Sequence, residues 1–341
     1  MKHNKRKSEK IEKYGLATVS DPETTLKQFA NQKKVGQKLR DKDLSALVGE
    51  IMKTYDAYGD LEHLDGKDLP SPANIIAILD DLMCILFPNF FGNAILERAD
   101  VRYFLVESLS SLHDRLSTEV ESGLKIVCRK IKLESADVCH RRAEVVAKEL
   151  LETIPRVRSL LARDVKAAFT GDPAAKSLEE IVLSYPCIYA IATYRIAHEL
   201  YKRGVPLIPR IMSEHAHSKT GIDIHPGAMI GKSFFIDHGT GVVIGETSEI
   251  GNNVRIYQGV TLGGLSLPKN KVSMFRDAKR HPTIANEVIV YSGATILGGK
   301  TTIGERTVVG GNVWITSSIP SNTTVTATPN KLIYKTHETK P

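Results

Sequence analysis

The stretch that decides the fold is "MIGKSFFIDHGTGVVIGETSEIGNNVRIYQGVTLGG", residues 229–264. Ile230 and Ile236 stand six apart; after a two-residue slip, Ile244, Ile250, Ile256 and Leu262 keep the same count. Outward from this stretch, Ile224 begins the series, Ile284, Val290 and Ile296 resume it, and Ile303, Val309 and Ile315 end it. That makes thirteen hexads. A six-residue period is neither helical nor a simple strand alternation. It fits a triangular solenoid, in which three short strands and three tight corners make one coil. The aliphatic residue of each hexad points into a narrow prism, and Gly, Asn and Asp serve corners that need positive φ. Thirteen hexads predict just over four coils, a prism about 20 Å long at ~4.8 Å per coil.

Upstream, residues from about 40 to 216 read as helix. "PANIIAILDDLMCILF" sets Ile75, Ile78, Leu79, Leu82 and Leu86 on one stripe. The segment 186–203 repeats that pattern through Ile188, Ile191, Ala192, Arg195 and Ile196, with Gly204 and Pro206 as stop signals. Arg195 and His198 on this helix read as structural pairing groups. The expected organisation is a basic, flexible extension over 1–45, a helical domain over 46–216, a solenoid over 217–334 and a tail over 335–341. Residues 263–283 fall outside the hexad count and are expected as a loop extruded from a corner.

The 341 residues carry a net charge of +7, much of it in Lys2, Lys5, Arg6, Lys7, Lys10 and Lys13. No aromatic residues interleave with this run and no DNA-binding motif follows, so it reads as a solvated tail with no nucleic-acid partner. Cys84, Cys128, Cys139 and Cys187 lie far apart, with no CxxC pair. Their spacing suits neither a zinc cluster nor a disulfide framework, and a reducing compartment is expected. With no apolar signal core and no stretch long enough to span a bilayer, the expectation is a cytosolic protein with no membrane partner.

Asp237 and His238 interrupt the hexads where no packing need asks for them. The blocks around them, "DPA" (172–174), "YRIAHELY" (194–201), "DIHPGAMIG" (223–231), "DHGTGVVIGET" (237–247), "VTLGG" (260–264) and "RHP" (280–282), resemble the serine O-acetyltransferases of the hexapeptide-repeat acyltransferase superfamily. The resemblance spans roughly residues 165 to 334, about half the chain. It implies an α+β protein: an all-helical N-terminal domain followed by a left-handed parallel β-helix, an exception to the usual right-handed crossover.

The resemblance also implies acetyl transfer from acetyl-CoA to the hydroxyl of L-serine, with no metal, as a step toward cysteine. The reaction needs a base for the hydroxyl proton, and His238 is the candidate. Asp223, fifteen residues earlier and so close to one 18-residue coil, is its expected catalytic partner. Asp172 and Asp237 match carboxylates for the substrate ammonium, and Arg280 and His281 match groups for its carboxylate. Glu246 is a supporting candidate. Gly264, Ser292 and Gly311 are placed by position along the acetyl-CoA groove, where Lys269, Lys271 and Lys279 can attract phosphates. Family members form homotrimers with sites between subunits, and many pair the trimers. L-cysteine is an expected feedback inhibitor. Many members also bind O-acetylserine sulfhydrylase through a terminal isoleucine; this chain ends in Pro341, which argues against that complex. The alternative activity is acetylation of a sugar or antibiotic hydroxyl by the same kind of prism.

Overall fold

The computed structural model describes residues 41–61, 69–92, 95–131, 136–266 and 278–328. Most of the basic extension and the tail over 335–341 lie outside the described residues, as do Lys269 and Lys271. The chain divides into two compact units, Met1–Gly66 and Lys67–Pro341. The first holds helix α1 (Asp41–Ala57), which starts inside the span expected as extension, and a short 3₁₀ turn, Gly59–Leu61.

The second unit opens with helices α2 (Pro72–Leu86), α3 (Val101–Lys130), α4 (Ala136–Glu152), α5 (Ile154–Gly171), α6 (Leu178–Ser184), α7 (Pro186–Lys202) and α8 (Ile208–Thr220). Helix α2 starts where Ser71 caps the Asn74 amide and Pro72 takes the first turn. Its expected stripe is buried, with Ile75 and Leu79 fully so. Cys128 and Cys139, which the spacing leaves unpaired, form a disulfide between α3 and α4. The physical reason is the helical hairpin: residues near equal distances from the turn meet, a pairing that sequence separation alone does not advertise. Cys84 and Cys187 are free. Among the described residues, no helix is long and apolar enough to cross a membrane.

From Asp223 onward the chain winds as a parallel β-solenoid. The first face stacks β1 (Asp223–Ile224), β4 (Val243–Ile244), β7 (Thr261–Gly263), β10 (Thr295–Leu297) and β13 (Trp314–Ile315). The second stacks β2 (Met229–Ile230), β5 (Glu249–Ile250), β8 (Thr283–Ile284) and β11 (Thr302–Ile303). The third stacks β3 (Phe235–Asp237), β6 (Arg255–Tyr257), β9 (Ile289–Val290), β12 (Val308–Val309) and β14 (Thr324–Val325). Every hexad aliphatic lies in one of these strands, and most are buried, Ile236, Ile256 and Ile296 completely. The hexad count falls short at the end: Ile319 bridges to Ile303 and β14 pairs with β12, which completes a fifth coil. The residues between β7 and β8 leave the stack intact, since Glu249 still faces Thr283 in register.

Side chains of α5 and α7 fasten the helices to the solenoid. Arg195 grips the Asp164 carboxylate through two hydrogen bonds, 2.6 and 2.9 Å, and reaches the Gly231 carbonyl at 2.9 Å. Asp164 also accepts from the Phe234 amide, so one carboxylate ties α5, α7 and the solenoid corner together. Tyr194 donates to the Ala228 carbonyl and His198 bonds the Pro226 carbonyl, both on the first coil. Arg195 and His198 are the structural groups that the helical pattern predicts.

Candidate active site

The corner after β3 is built for exposure of one side chain beside a buried one. His238 adopts φ 58° and Gly239 φ 89°, left-handed values that turn the chain sharply. A Cβ on Gly239 would stand 2.5 Å from the Ile222 side chain, so only glycine fits there. The turn leaves the His238 side chain 72% exposed and the Asp237 side chain 8% exposed, with Nε2 to Oδ1 at 3.8 Å. Asp237 also pairs with Arg255, whose guanidinium lies over the rings of Phe235 and Tyr257 at 5.2 and 4.6 Å.

Asp172, at the C-terminal cap of α5, completes this corner. Tyr185 donates to it at 2.5 Å and the Ala174 amide at 2.8 Å. The Tyr185 hydrogen bond holds the Asp172 carboxyl below its usual range, while the same contact pushes the phenol up to about 12. Asp172, Tyr185, Asp237, His238 and Thr240 line a cavity of about 440 Å³. Two carboxylates and an exposed imidazole can hold an ammonium and take a proton from a neighbouring hydroxyl.

A second cluster occupies the corner between the first and second faces. Arg280 pairs with Glu246, which also accepts from Tyr201 at 2.7 Å. Burial opposes ionisation of Glu246, but the Tyr201 and Arg280 contacts outweigh it and keep the carboxyl below its ordinary value. Thr247 organises the rest: its hydroxyl accepts the amides of Arg280 and His281, and its own amide donates to His281 Nδ1 at 3.0 Å. That donor leaves the ring proton on Nε2. A Cβ on Gly245 would stand 2.1 Å from the imidazole, so the glycine is what admits His281 to this position. His225 joins the cluster, with its Nδ1 accepting from the Gly227 amide and its ring edge-on to Tyr201.

Burial pushes both His225 and His281 down to about 4. A buried neutral ring resists the proton that the unfolded chain accepts, so each ring costs stability as pH falls from 6.5 toward about 4. A His281→Asn variant keeps an acceptor for the Thr247 amide and removes the titration. Its urea stability is expected to fall less than that of the parent chain over this window; parallel losses would contradict the assignment.

The structure does not unite all the expected residues within one chain. Asp223 pairs in register with Val243, so this coil is twenty residues long rather than eighteen. The fifteen-residue spacing therefore puts Asp223 on the first face and His238 on the corner that closes the same coil. Among the described residues no hydrogen bond or ion pair joins them. Burial raises the Asp223 carboxyl, and the charges around it are His217, Glu214 and Arg210 of α8. Ser292 and Gly311 do meet, since a Cβ on Gly311 would lie 3.1 Å from the Ser292 carbonyl; Gly264 stands apart, beside Arg280. Lys279 is tied to Glu249 at 2.8 Å and to the Thr247 carbonyl.

Sequence reasoning missed Tyr185, Tyr201 and Arg255. Arg255 was within reach, because the hexads place it outward, diagonal to Asp237 on the next coil.

No protein-family model matches the chain. The plasmid-borne serine acetyltransferase of Synechococcus elongatus is 44% identical over 256 residues, covering 74% of this chain and 80% of that protein. The serine acetyltransferase of Bacillus licheniformis is 46% identical over 174 residues, 51% of this chain and 76% of that one. Among solved structures, serine acetyltransferase 1 of Entamoeba histolytica in complex with L-cysteine superposes with a TM-score of 0.64 at 35% identity. That match covers 81% of this chain and 96% of the other. On this likeness of sequence and fold, the chain belongs to the serine acetyltransferases.

Proposed function

We propose that the chain transfers an acetyl group from acetyl-CoA to the hydroxyl of L-serine, giving O-acetyl-L-serine and CoA. The observation that carries the reading is the cavity that joins Asp172, Asp237 and the exposed His238, in a chain of this family. Asp172 and Asp237 receive the serine ammonium, a role for which counter-charge is needed in a partly desolvated pocket. His238 takes the hydroxyl proton as the oxygen attacks the thioester carbonyl. The C–S bond then breaks, and the imidazolium returns the proton to the CoA sulfur. Arg280 and the Nε2–H of neutral His281 receive the substrate carboxylate, with Glu246 orienting the guanidinium. Ser292 and Gly311 flank the acetyl-CoA arm, and Gly264 meets it from the other corner.

The two clusters lie on different corners of the prism, so a complete site calls for a second copy. A three-fold, heterologous arrangement brings one corner of each prism to a different corner of the next. Asp223 then reaches the imidazole of a neighbour rather than its own. We read the chain as a homotrimer with three shared sites, a state in which trimers can pair further. L-cysteine, found with the Entamoeba enzyme, presents the same ammonium and carboxylate as serine and should compete for the site. The proposed compartment is the cytosol.

A thiol-release assay with acetyl-CoA and either L-serine, a galactoside or chloramphenicol tests the substrate. Release is expected with L-serine alone. Preference for a sugar or for chloramphenicol would instead favour the other hexapeptide-repeat activity.

A further inference from the structure

A second cavity, of about 410 Å³, opens between α5 and the corner joining the second and third faces. Arg163 and Lys166 stand on its helical side, three apart. Ser233, Asn253 and Glu287, corner residues of three successive coils, stand on the other, with Arg255 between them and the His238 pocket. Neither Arg163 nor Lys166 has an ion-pair partner among the described residues. Like charges at this helical spacing destabilise a helix by a few tenths of a kcal/mol, so the packing alone does not account for them. Among the described residues, Glu287 is the single carboxylate that lines the cavity. Gly171 brings the end of α5 close to Arg255: a Cβ there would sit 3.6 Å from Nη1 and 3.0 Å from the Phe235 ring. Arg255 Nη2 is spent on Asp237, while its Nε is buried without a hydrogen-bond partner.

We propose that this cleft between α5 and the solenoid binds a phosphate-class dianion through Arg163, Lys166 and Arg255. A dianion with four oxygens can accept from two guanidinium groups and an ammonium at once, which one carboxylate at Glu287 cannot. The site lies on the far side of Arg255 from His238. Anion binding therefore draws the Arg255 charge away from Asp237 and leaves that carboxylate freer for an ammonium. This coupling rests on the role proposed for Asp237; binding of the anion does not.

The test is calorimetric titration of the full chain with inorganic phosphate, without either substrate. A parallel titration with CoA separates free phosphate from the phosphates of the coenzyme. The double variant Arg163→Ala/Lys166→Ala is expected to weaken phosphate binding by at least ~10-fold, with CoA affinity unchanged. Glu287→Gln is expected to strengthen phosphate binding, a change of opposite sign that a folding defect would not produce. Absence of phosphate binding, equal binding by the double variant, or parallel loss of CoA affinity would each overturn the site. Saturating phosphate should also lower the KM for serine in the parent chain and not in the double variant; an unchanged KM would overturn the coupling.

Discussion

Replacing His238 with alanine lowers turnover of L-serine by at least ~100-fold while the protein stays folded, the loss expected when a positioned general base is removed. The hydroxyl of serine holds its proton at neutral pH and attacks a thioester slowly without help. The imidazole is the exposed base of the pocket, held on a corner whose backbone is set by Gly239. Because the side chain is 72% exposed, its truncation removes little packing. The effect should therefore fall on kcat, with KM for either substrate nearly unchanged. Thiol release under saturating substrates measures it, beside a urea unfolding curve for the same variant. Turnover within a few-fold of the parent chain would remove His238 from the chemistry.

The largest effect on stability is expected at Asp164. Its side chain is fully buried and that of Arg195 is 4% exposed, so Asp164→Ala strands a guanidinium inside the protein. Breaking one side of such a pair costs about 3–5 kcal/mol, more than the pair itself contributes, because the surviving charge has lost its solvent and its partner. The Phe234 amide loses its acceptor in the same step. Removing both charges, as in Asp164→Leu/Arg195→Met, is expected to cost less than the single change. Unfolding midpoints in urea for the single and double variants measure this; a single change costing under ~1 kcal/mol would mean that the pair is not sealed from water.

The solenoid was legible because a narrow prism accepts one kind of side chain at each inward position, so geometry writes a period into the sequence. The end of it was less legible. Ile319, four residues after Ile315, breaks the six-residue count, and Val325, six further on, resumes it to complete the fifth coil. At the site, Asp237 and His238 stood out because a charge and an imidazole sat where the hexads ask for neither. Asp172 was placed only through family likeness; in the fold, the end of α5 carries it to the same pocket. The expected contact of Asp223 with His238 rested on an idealised eighteen-residue coil; this coil has twenty, with Asp223 on the first face and His238 on the corner that closes it. The Cys128–Cys139 pair comes from tertiary folding that spacing does not encode, whereas the hexad register already sets Arg255 diagonal to Asp237.

The proposed site joins His238 of one copy to Arg280 of another. It is tested most directly by forming mixed oligomers from His238→Ala and Arg280→Ala chains, each of them inactive alone. In a random one-to-one mixture, about one quarter of the shared sites receive both intact residues from the two neighbouring copies that build them. Recovery of about that fraction of the parent turnover is expected. A mixture that remains as inactive as its two components, although it forms mixed oligomers, would contradict it.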